Sequence, residues 1–414
     1  MAGPQSLIVI GGGAAGFFCA VNAARMRPGL EVIILEKTSK YLSKVRISGG
    51  GRCNLTHACF DRTEMSRRYP RGGPFLRKAF HQFFTTDTVA WFEERGVALK
   101  TEKDGRMFPV SDSSQSVIDC LTREARKYGV QILLEHDVRG ISREGERFRI
   151  ECAGRPPLYA GFVCVATGGY PKSVLFDWLR QTGHSVEAPV PSLFTFNLDK
   201  QTATSDITAL MGVSVGHVKL RIKGTKLEQE GPLLITHWGF SGPVVLKLSA
   251  WAARELREME YHFKVLISWL PEWHEQQLRE QCHLHRQQLS AQKILNRNPF
   301  QLPARLWEFL CGQAGVTAEM RWAGLPSAVQ HKLIQALLSF ECTVKGKTTF
   351  KDEFVTAGGI PVQEVDVHTM MSRKIPGLYF AGEVLDVDGI TGGYNFQHAW
   401  TSGWIAAKAI ASAP

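Results

Sequence analysis

Gly11, Gly13 and Gly16, followed by a carboxylate at Glu36, are residue types at a spacing that suits a dinucleotide. Gly11 permits a tight turn, Gly13 removes the Cβ that would hold the backbone away from a pyrophosphate, and Gly16 lets a helix pack close to a strand. The N–H groups at the start of that helix, with its dipole, favour a diphosphate. Glu36 stands 36 − 16 = 20 residues beyond the last glycine, where a carboxylate can hold two ribose hydroxyls and would repel a ribose 2′-phosphate. NADP is therefore not expected at this site.

Residues 40–57 form a second reactive stretch. Gly49, Gly50 and Gly51 in a row cannot sustain a helix interior and predict a loop whose backbone approaches a flat ligand. Lys44, Arg46 and Arg52 supply cations for phosphate or for a ring carbonyl that gains charge. Cys53 lies in the same loop without a partner at CxxC spacing, Cys59 being six residues on, so a packed thiol is expected. His237, in a loop rich in Gly, Ser and Pro, is the candidate acid–base group, since an unperturbed imidazole titrates near pH ~6.5. Its alternative role is to pack, or to cap the helix that follows. Arg52 is the other candidate, as a cation that polarises a substrate carbonyl. Asn395, near the start of the last helix, can cap it and offer a donor to a bound ring. His274, His283 and His285 fall in a Gln-rich segment. The spacing of the last two does not place both on one helical face, so these histidines are expected on the surface and not on a metal.

These residues need a scaffold. An apolar run at 7–10 predicts a buried strand, 14–26 a helix stopped by Pro28-Gly29, and 32–35 a second strand, which together make a βαβ unit. Helices are expected over 75–84 and 87–95, with Gly96 as C-cap, and from Ser113 or Ser114 to Tyr128. An apolar strand at 162–166 ends in Thr167-Gly168-Gly169, where a backbone can touch a dinucleotide. From Pro189 short alternating strands take over, then helices broken by proline. Nucleotide-type sequence returns in 375–407, with a strand at 378–381, a turn at Gly382-Glu383, and glycines at Gly392-Gly393 before a helix. The pattern predicts a dinucleotide domain built from 1–188 and 359–414. Between them lie a β-rich insertion, 189–270 with return strands at 341–358, and a helical subdomain, 271–340.

The 414 residues are 44% hydrophobic and 21% charged, the balance of a soluble globular enzyme. The apolar runs are too short to span a bilayer, and the N-terminal one carries the glycines, so neither a membrane span nor a signal peptide is expected. Nine cysteines without a CxxC pair or a zinc-type cluster suggest a reducing cytoplasm. Lys and Arg exceed Asp and Glu by 49 − 39 = 10, a surplus that can draw an anionic substrate, an acidic redox partner or nucleic acid.

Taken in order, GxGxxG, SGGGRCN (48–54), ATGG (166–169), THWGFSGP (236–243) and AGEVLDVDGITGGYNFQHA (381–399) resemble the BaiN/RdsA-type FAD-dependent oxidoreductases. That bacterial flavoprotein family is similar to aminoacetone oxidase and the bile-acid dehydro-reductases. The resemblance spans nearly the whole chain. SGGGRCN and GGYNFQHAW are specific to the family, whereas GxGxxG and ATGG are shared with many flavoproteins.

The resemblance implies an α/β fold: a glutathione-reductase-type, Rossmann-like FAD-binding domain with an inserted β-rich domain and a helical subdomain. It implies that Gly11, Gly12, Gly13, Ala14, Ala15 and Gly16 hold the FAD pyrophosphate, and that Glu36 and Lys37 lie at the adenosine end. Gly49, Gly50, Gly51, Arg52, Cys53 and Asn54 would lie near the flavin with Lys44 beside them. Val138 would meet adenine through its backbone, and Thr167 and Gly168 would touch the dinucleotide. Gly382 and Glu383, then Gly392, Gly393, Tyr394 and Asn395, would hold the ribityl chain and the pyrimidine side of the ring. Residues 236–241 would bring the insertion towards the substrate. The chain departs from the family where Tyr170-Pro171-Lys172 follows ATGG, in Pro191-Ser192-Leu193-Phe194, and at His57, where the family has Asn. These changes spare the nucleotide site and bear on the substrate.

The expected function is an FAD-dependent oxidoreductase that passes hydride between a small organic substrate and the flavin, with NAD(P)H a candidate electron donor. No second GxGxxG marks a separate NAD(P)H domain. One alternative is a flavin-dependent RNA-modifying enzyme, suggested by the charge and the cationic stretch 62–78. The other is a non-catalytic FAD-binding protein. RNA is not the expected partner.

Overall fold

A computed structural model describes residues 6–201, 203–348 and 355–414. The apolar strand Ser6–Ile10 is buried along its whole length. It pairs in parallel with Glu31–Leu35 on one side and Phe162–Val165 on the other. Gln131–Leu133 and Leu378–Phe380 extend the sheet at its two edges, also in parallel. The chain leaves the central strand to one side and later returns on the other, so a crevice opens at the carboxyl ends of Ser6–Ile10 and Phe162–Val165.

The helix Ala14–Met26 lies against the C-terminal helix Tyr394–Ala411. Gly403 sets how close they come, since a Cβ on it would stand 2.7 Å from Ala15 O, while Gly16 is needed at the strand-to-helix turn, where a Cβ would stand 2.0 Å from Gly11 O. Phe18, Phe92 and Trp400 pack edge-on or tilted around this contact. A buried polar chain fixes the register of the C-terminal helix. Gln397 Oε1 accepts from Thr56 Oγ1 at 2.6 Å and from Thr88 Oγ1 at 3.0 Å, and Gln397 Nε2 donates to Thr401 Oγ1 at 3.1 Å. Removing either hydroxyl would leave a buried amide short of a partner.

The chain divides into two compact units, 1–192 with 351–414, and 193–350. In the first, Glu187–Ser192 pairs antiparallel with Val355–Gly359, so the position 189 expected to open the insertion falls inside a strand of this unit. The second unit is a closed six-stranded barrel. Its order is Thr195–Leu198, Gly239–Ser241, Glu228–Ile235, Ser214–Ile222, His262–Ser268 and Phe340–Thr348. The helices Glu275–Gln288, Ala304–Ala314 and Ser327–Leu338 enter the chain between the last two strands. They share one hydrophobic core with the barrel, in which Trp307, Leu333 and Leu337 join Val265, Ile267 and Phe340.

Two expectations need correction. The helix expected over 75–84 runs Gly73–Ala79, because Pro74 suits its first turn and Asp87 then accepts from Phe84 N to begin a new helix, Thr85–Glu93. His285 is not a surface residue. It is 4% exposed, packed edge-on to Trp322 at 4.8 Å and bonded to Gln281, and burial pushes its pKa down. His274 caps its helix by accepting from Gln277 N. Among the described residues no cluster of His, Cys, Asp or Glu could hold a metal, and no helix is long and apolar enough to cross a membrane.

Candidate functional site

The glycines at the crevice differ in what demands them. Gly11 has φ +115°, and its Cβ would lie 2.4 Å from Ala166 O, so the backbone requires glycine there. Gly13 has φ −91° and ψ −171°, open to any residue, and a Cβ on it would meet nothing within 4 Å. The fold does not need glycine at that position, and the space above it is available to a ligand. Gly13 is the N-cap of the helix Ala14–Met26, no side chain caps that end, and its first turn holds no acid. The N–H groups of Ala14, Ala15 and Gly16 therefore lack intrahelical partners at the crevice.

Glu36 is pre-set for a ribose. Its Oε2 accepts from Gly12 N at 2.9 Å, and its Oε1 from Thr38 N at 2.9 Å and Thr38 Oγ1 at 2.8 Å. This fixes the carboxylate while leaving lone pairs on Oε2 for hydroxyl donors. Thr38 was not singled out from the sequence, although an acid followed two residues on by Thr is a local turn signal. Glu36 O accepts from His136 N at 2.9 Å, which brings the start of Val138–Glu144 alongside. Lys37 turns elsewhere: its ammonium lies 5.4 Å from the centre of the Tyr170 ring.

Around the glycine triplet, the stretch Ser43–Gly51 is helical only in part. Ser48 is extended, and Gly49 and Gly50 are left-handed at φ +59° and +69°, as expected for a loop. Cβ atoms on Gly50 and Gly51 would meet nothing within 4 Å. Lys44 Nζ pairs with Glu383 Oε2 at 2.7 Å, and Glu383 Oε1 accepts from Thr356 N at 2.9 Å. Gly169 is pressed between Thr356 and Glu383, while Gly168, at φ +75°, accepts from Thr167 Oγ1 at 3.3 Å. The buried Thr356 hydroxyl has no protein partner, so this corner retains an unused polar group.

At the second helix start, Gly393 (φ +91°) is the N-cap, and no room exists for a Cβ, which would meet Thr56 O at 2.5 Å. Asn54, turned so that both ends of its amide are paired, accepts from Gly393 N at 3.0 Å and donates to Thr56 O at 3.1 Å. His57 stacks on Tyr394 at 4.8 Å, and its Nδ1 meets Gly392 O at 3.0 Å. The expectation that Asn395 caps the helix is corrected, and only one N–H of its amide remains as a donor. Its amide is committed at both ends to Gly389, accepting from N at 2.8 Å and donating to O at 3.0 Å.

Gly382 is clamped from one face of the C-terminal helix. Ser402 Oγ accepts from Gly382 N at 2.9 Å, and His398 Nε2 donates to Gly382 O at 3.1 Å. The i, i+4 spacing in HAWTS was the available signal.

Arg52 is also bound elsewhere. Its Nη1 lies 2.7 Å from Glu102 Oε1, and its guanidinium sits 4.1 Å over the Phe108 ring. The Glu102 hydrogen bond raises its pKa further. A cation so engaged buttresses the loop and is not a free polarising group. Cys53 is fully buried and pushed up to about 12 by burial, which keeps it a thiol. His237 lies in the second unit, at an exposed turn in which Thr236 N donates to Gly239 O at 2.8 Å. It packs edge-on against Trp238 at 4.4 Å and does not cap the helix that follows, whose N-cap is Gly242.

Known proteins place this arrangement. The chain is 32% identical to a ribosomal RNA dihydrouridine synthase of Escherichia coli, covering 98% of both chains. It is 30% identical to a 3-dehydro-bile acid delta(4,6)-reductase of Clostridium scindens, covering 98% of this chain and 99% of the other. Among solved structures, a 3-ketosteroid-delta4-(5alpha)-dehydrogenase of Rhodococcus jostii shares the fold at 12% identity, with a TM-score of 0.52 over 98% of this chain and 96% of that one. The HI0933-like protein Rossmann domain matches residues 5–409, and with SGGGRCN and GGYNFQHAW in place the chain belongs to that family.

Proposed function

We propose that this chain is an FAD-dependent reductase of carbon–carbon double bonds conjugated to a carbonyl. The observation that carries the cofactor half of the reading is Gly13, a glycine the fold does not need, facing open space at an uncapped helix start beside a pre-set Glu36, and the chemistry shared by the two relatives supports the other half. FAD, once reduced, supplies the hydride. The N–H groups of Ala14 to Gly16 bind the diphosphate, and Glu36, steadied by Gly12 and Thr38, takes the ribose hydroxyls. The N–H groups and positive dipole end of the helix that starts at Tyr394 would stabilise negative charge on a bound ring, contributing about 0.3–1 kcal/mol.

The names of the two relatives share one chemistry. Dihydrouridine is uridine with two hydrogens added across a ring double bond conjugated to a carbonyl. Reduction of a delta(4,6) 3-dehydro steroid adds hydrogens across double bonds conjugated to the 3-oxo group. In both, hydride goes to an electrophilic carbon of the conjugated system, the β-carbon of an enone or the δ-carbon at the outer double bond of a dienone, and a proton goes to the neighbouring carbon on the carbonyl side. His237 and the Tyr394 hydroxyl, held protonated because burial pushes it up to about 12, are the candidate proton donors.

The test is anaerobic. Bleaching of the visible flavin band by NADH or NADPH, then recovery on adding 2-cyclohexenone or a uridine-containing RNA, supports the reading. A reduced enzyme that neither acceptor re-oxidises sinks it. For the substrate, a small enone is the first reading and a uracil in RNA the second. The second is favoured by the surplus of 10 cations and by the 32% identical relative.

A further inference from the structure

On the first unit, residues 58–81 place six cations against two carboxylates. Two of the six are neutralised, Arg67 by Glu64 and Arg71 by the buried Asp388. Arg62, Arg68, Arg77 and Lys78 are exposed, with no carboxylate in ion-pair contact among the described residues. Phe60, Asp61, Arg62, Thr63, Arg77 and His81 line one open pocket of about 410 Å³, in which two guanidiniums outnumber the one carboxylate, and that carboxylate already caps a helix by accepting from Glu64 N. Phe60 is 59% exposed, far beyond what a ring of that size needs for packing. Arg62 is held in place, with Nε donating to Phe80 O at 3.2 Å. Arg68 lies outside the pocket's lining and within electrostatic range of Cys59, His57 and Tyr394.

A cationic pocket with a bare aromatic face fits a ligand that carries both phosphates and flat rings. We propose that the Phe60–Arg62–Arg77–His81 pocket binds the backbone of a single-stranded RNA, with one unpaired base stacked on Phe60 and phosphates along Arg62, Arg77 and Arg68. This rests on the reading in which a uracil in RNA is the substrate, and it names where the strand beside that uracil is held. Aromatic stacking tolerates any base, and the cations read only phosphate, so the pocket supplies affinity and leaves the choice of nucleotide to the cofactor site.

The experiment uses FAD-loaded full-length protein and a fluorescein-labelled 12-nucleotide single-stranded RNA, followed by anisotropy at several salt concentrations. Arg62→Ala/Arg77→Ala should weaken binding at least about tenfold and flatten the log–log salt slope by about 1.4, two phosphate contacts at roughly 0.7 each. Phe60→Ala should weaken it by about five- to a hundredfold with the slope unchanged. Arg77→Glu alone, at an exposed helix position, is the variant that leaves packing untouched and should weaken binding too. Arg123→Ala/Lys127→Ala removes two cations from another pocket, lined by Arg95, Arg123 and Lys127 together with Glu94 and Glu124, and should change nothing. RNA binding that survives in Arg77→Glu, or falls equally in the Arg123/Lys127 control, overturns the proposal. So does loss of binding to phosphatidylglycerol vesicles, in place of RNA, in the same variants. The variants should keep NAD(P)H-driven flavin bleaching and 2-cyclohexenone reduction. If these fail in the wild type while RNA still binds through the pocket, the catalytic reading falls and the surface stands.

Discussion

Lys44 Nζ and Glu383 Oε2 meet at 2.7 Å although 339 residues separate them in the chain. The pair ties the loop before the glycine triplet to the turn after Leu378–Phe380, and Glu383 also receives Thr356 N from the strand Val355–Gly359. Three distant segments therefore converge on one carboxylate at the candidate site. The lysine side chain is half exposed, so its ion pair contributes about 0–1 kcal/mol to stability. Glu383→Gln, which keeps an acceptor for Thr356 N, should leave the urea midpoint nearly unchanged. The same variant should shift the visible spectrum of bound flavin and weaken FAD binding about three- to tenfold. A large fall in stability with an unaltered spectrum would make Glu383 a structural residue only.

Gly13→Ala separates ligand from fold. The added methyl meets no protein atom, and the N-cap conformation accepts alanine, so the apoprotein should lose less than about 1 kcal/mol. FAD affinity should fall more than tenfold, because the methyl occupies the space the diphosphate needs. Isothermal titration of apoprotein with FAD, beside a thermal melt of the same sample, checks both halves. A variant that binds FAD as the wild type does would remove the pyrophosphate from this loop.

Much of this was legible because local chemistry dictates it. The alternation of apolar runs and glycines fixed the βαβ unit, and the Gly13 argument needs only the motif and its context. Glu36 was legible as an acid at the right distance, but not its partner Thr38, whose contact depends on how the chain turns after the strand. What sequence could not give was commitment. Arg52 and Asn395 have the right chemistry for a substrate or a ring, yet Glu102 holds the first and Gly389 orients the second, and both partners come from folding. His285 looked like surface in a polar helix because three of its neighbours in sequence are polar. Its burial comes from Trp322, 37 residues away (322 − 285), through the shared core of helices and barrel.

His398 makes stability depend on pH. It is fully buried, donates to Gly382 O, and burial pushes it down to about 4 from an ordinary 6.5. Between those values the unfolded chain binds a proton that the folded chain refuses, so stability rises with pH across that window and is lost as pH falls through it. A depression of that size corresponds to roughly 3 kcal/mol. His57, His184 and His285 are also lowered by burial and act in the same direction. His398→Gln, whose amide can still donate to Gly382 O, should therefore flatten part of the change in urea midpoint between pH 6.5 and 4. An unchanged slope would mean that the ring is solvated in the folded state.

The last prediction concerns the proton. His237 is exposed and packs edge-on against Trp238, so His237→Ala should change stability by less than about 0.5 kcal/mol. The variant should also retain FAD, since His237 belongs to the barrel unit and the cofactor-binding candidates to the other. If His237 protonates the α-carbon as hydride reaches the β-carbon, the oxidative half-reaction with an enone should slow by roughly 10²–10⁴. Flavin reduction by NAD(P)H, which needs no such proton, should proceed at the wild-type rate. Tyr394→Phe supplies the comparison, because its hydroxyl is the other candidate donor and its ring stacking on His57 is preserved. Rapid mixing of reduced enzyme with 2-cyclohexenone reads the two variants side by side. Slowing in His237→Ala alone assigns the proton to the barrel unit, slowing in Tyr394→Phe alone assigns it to the start of the C-terminal helix, and equal wild-type rates in both would take the proton from solvent.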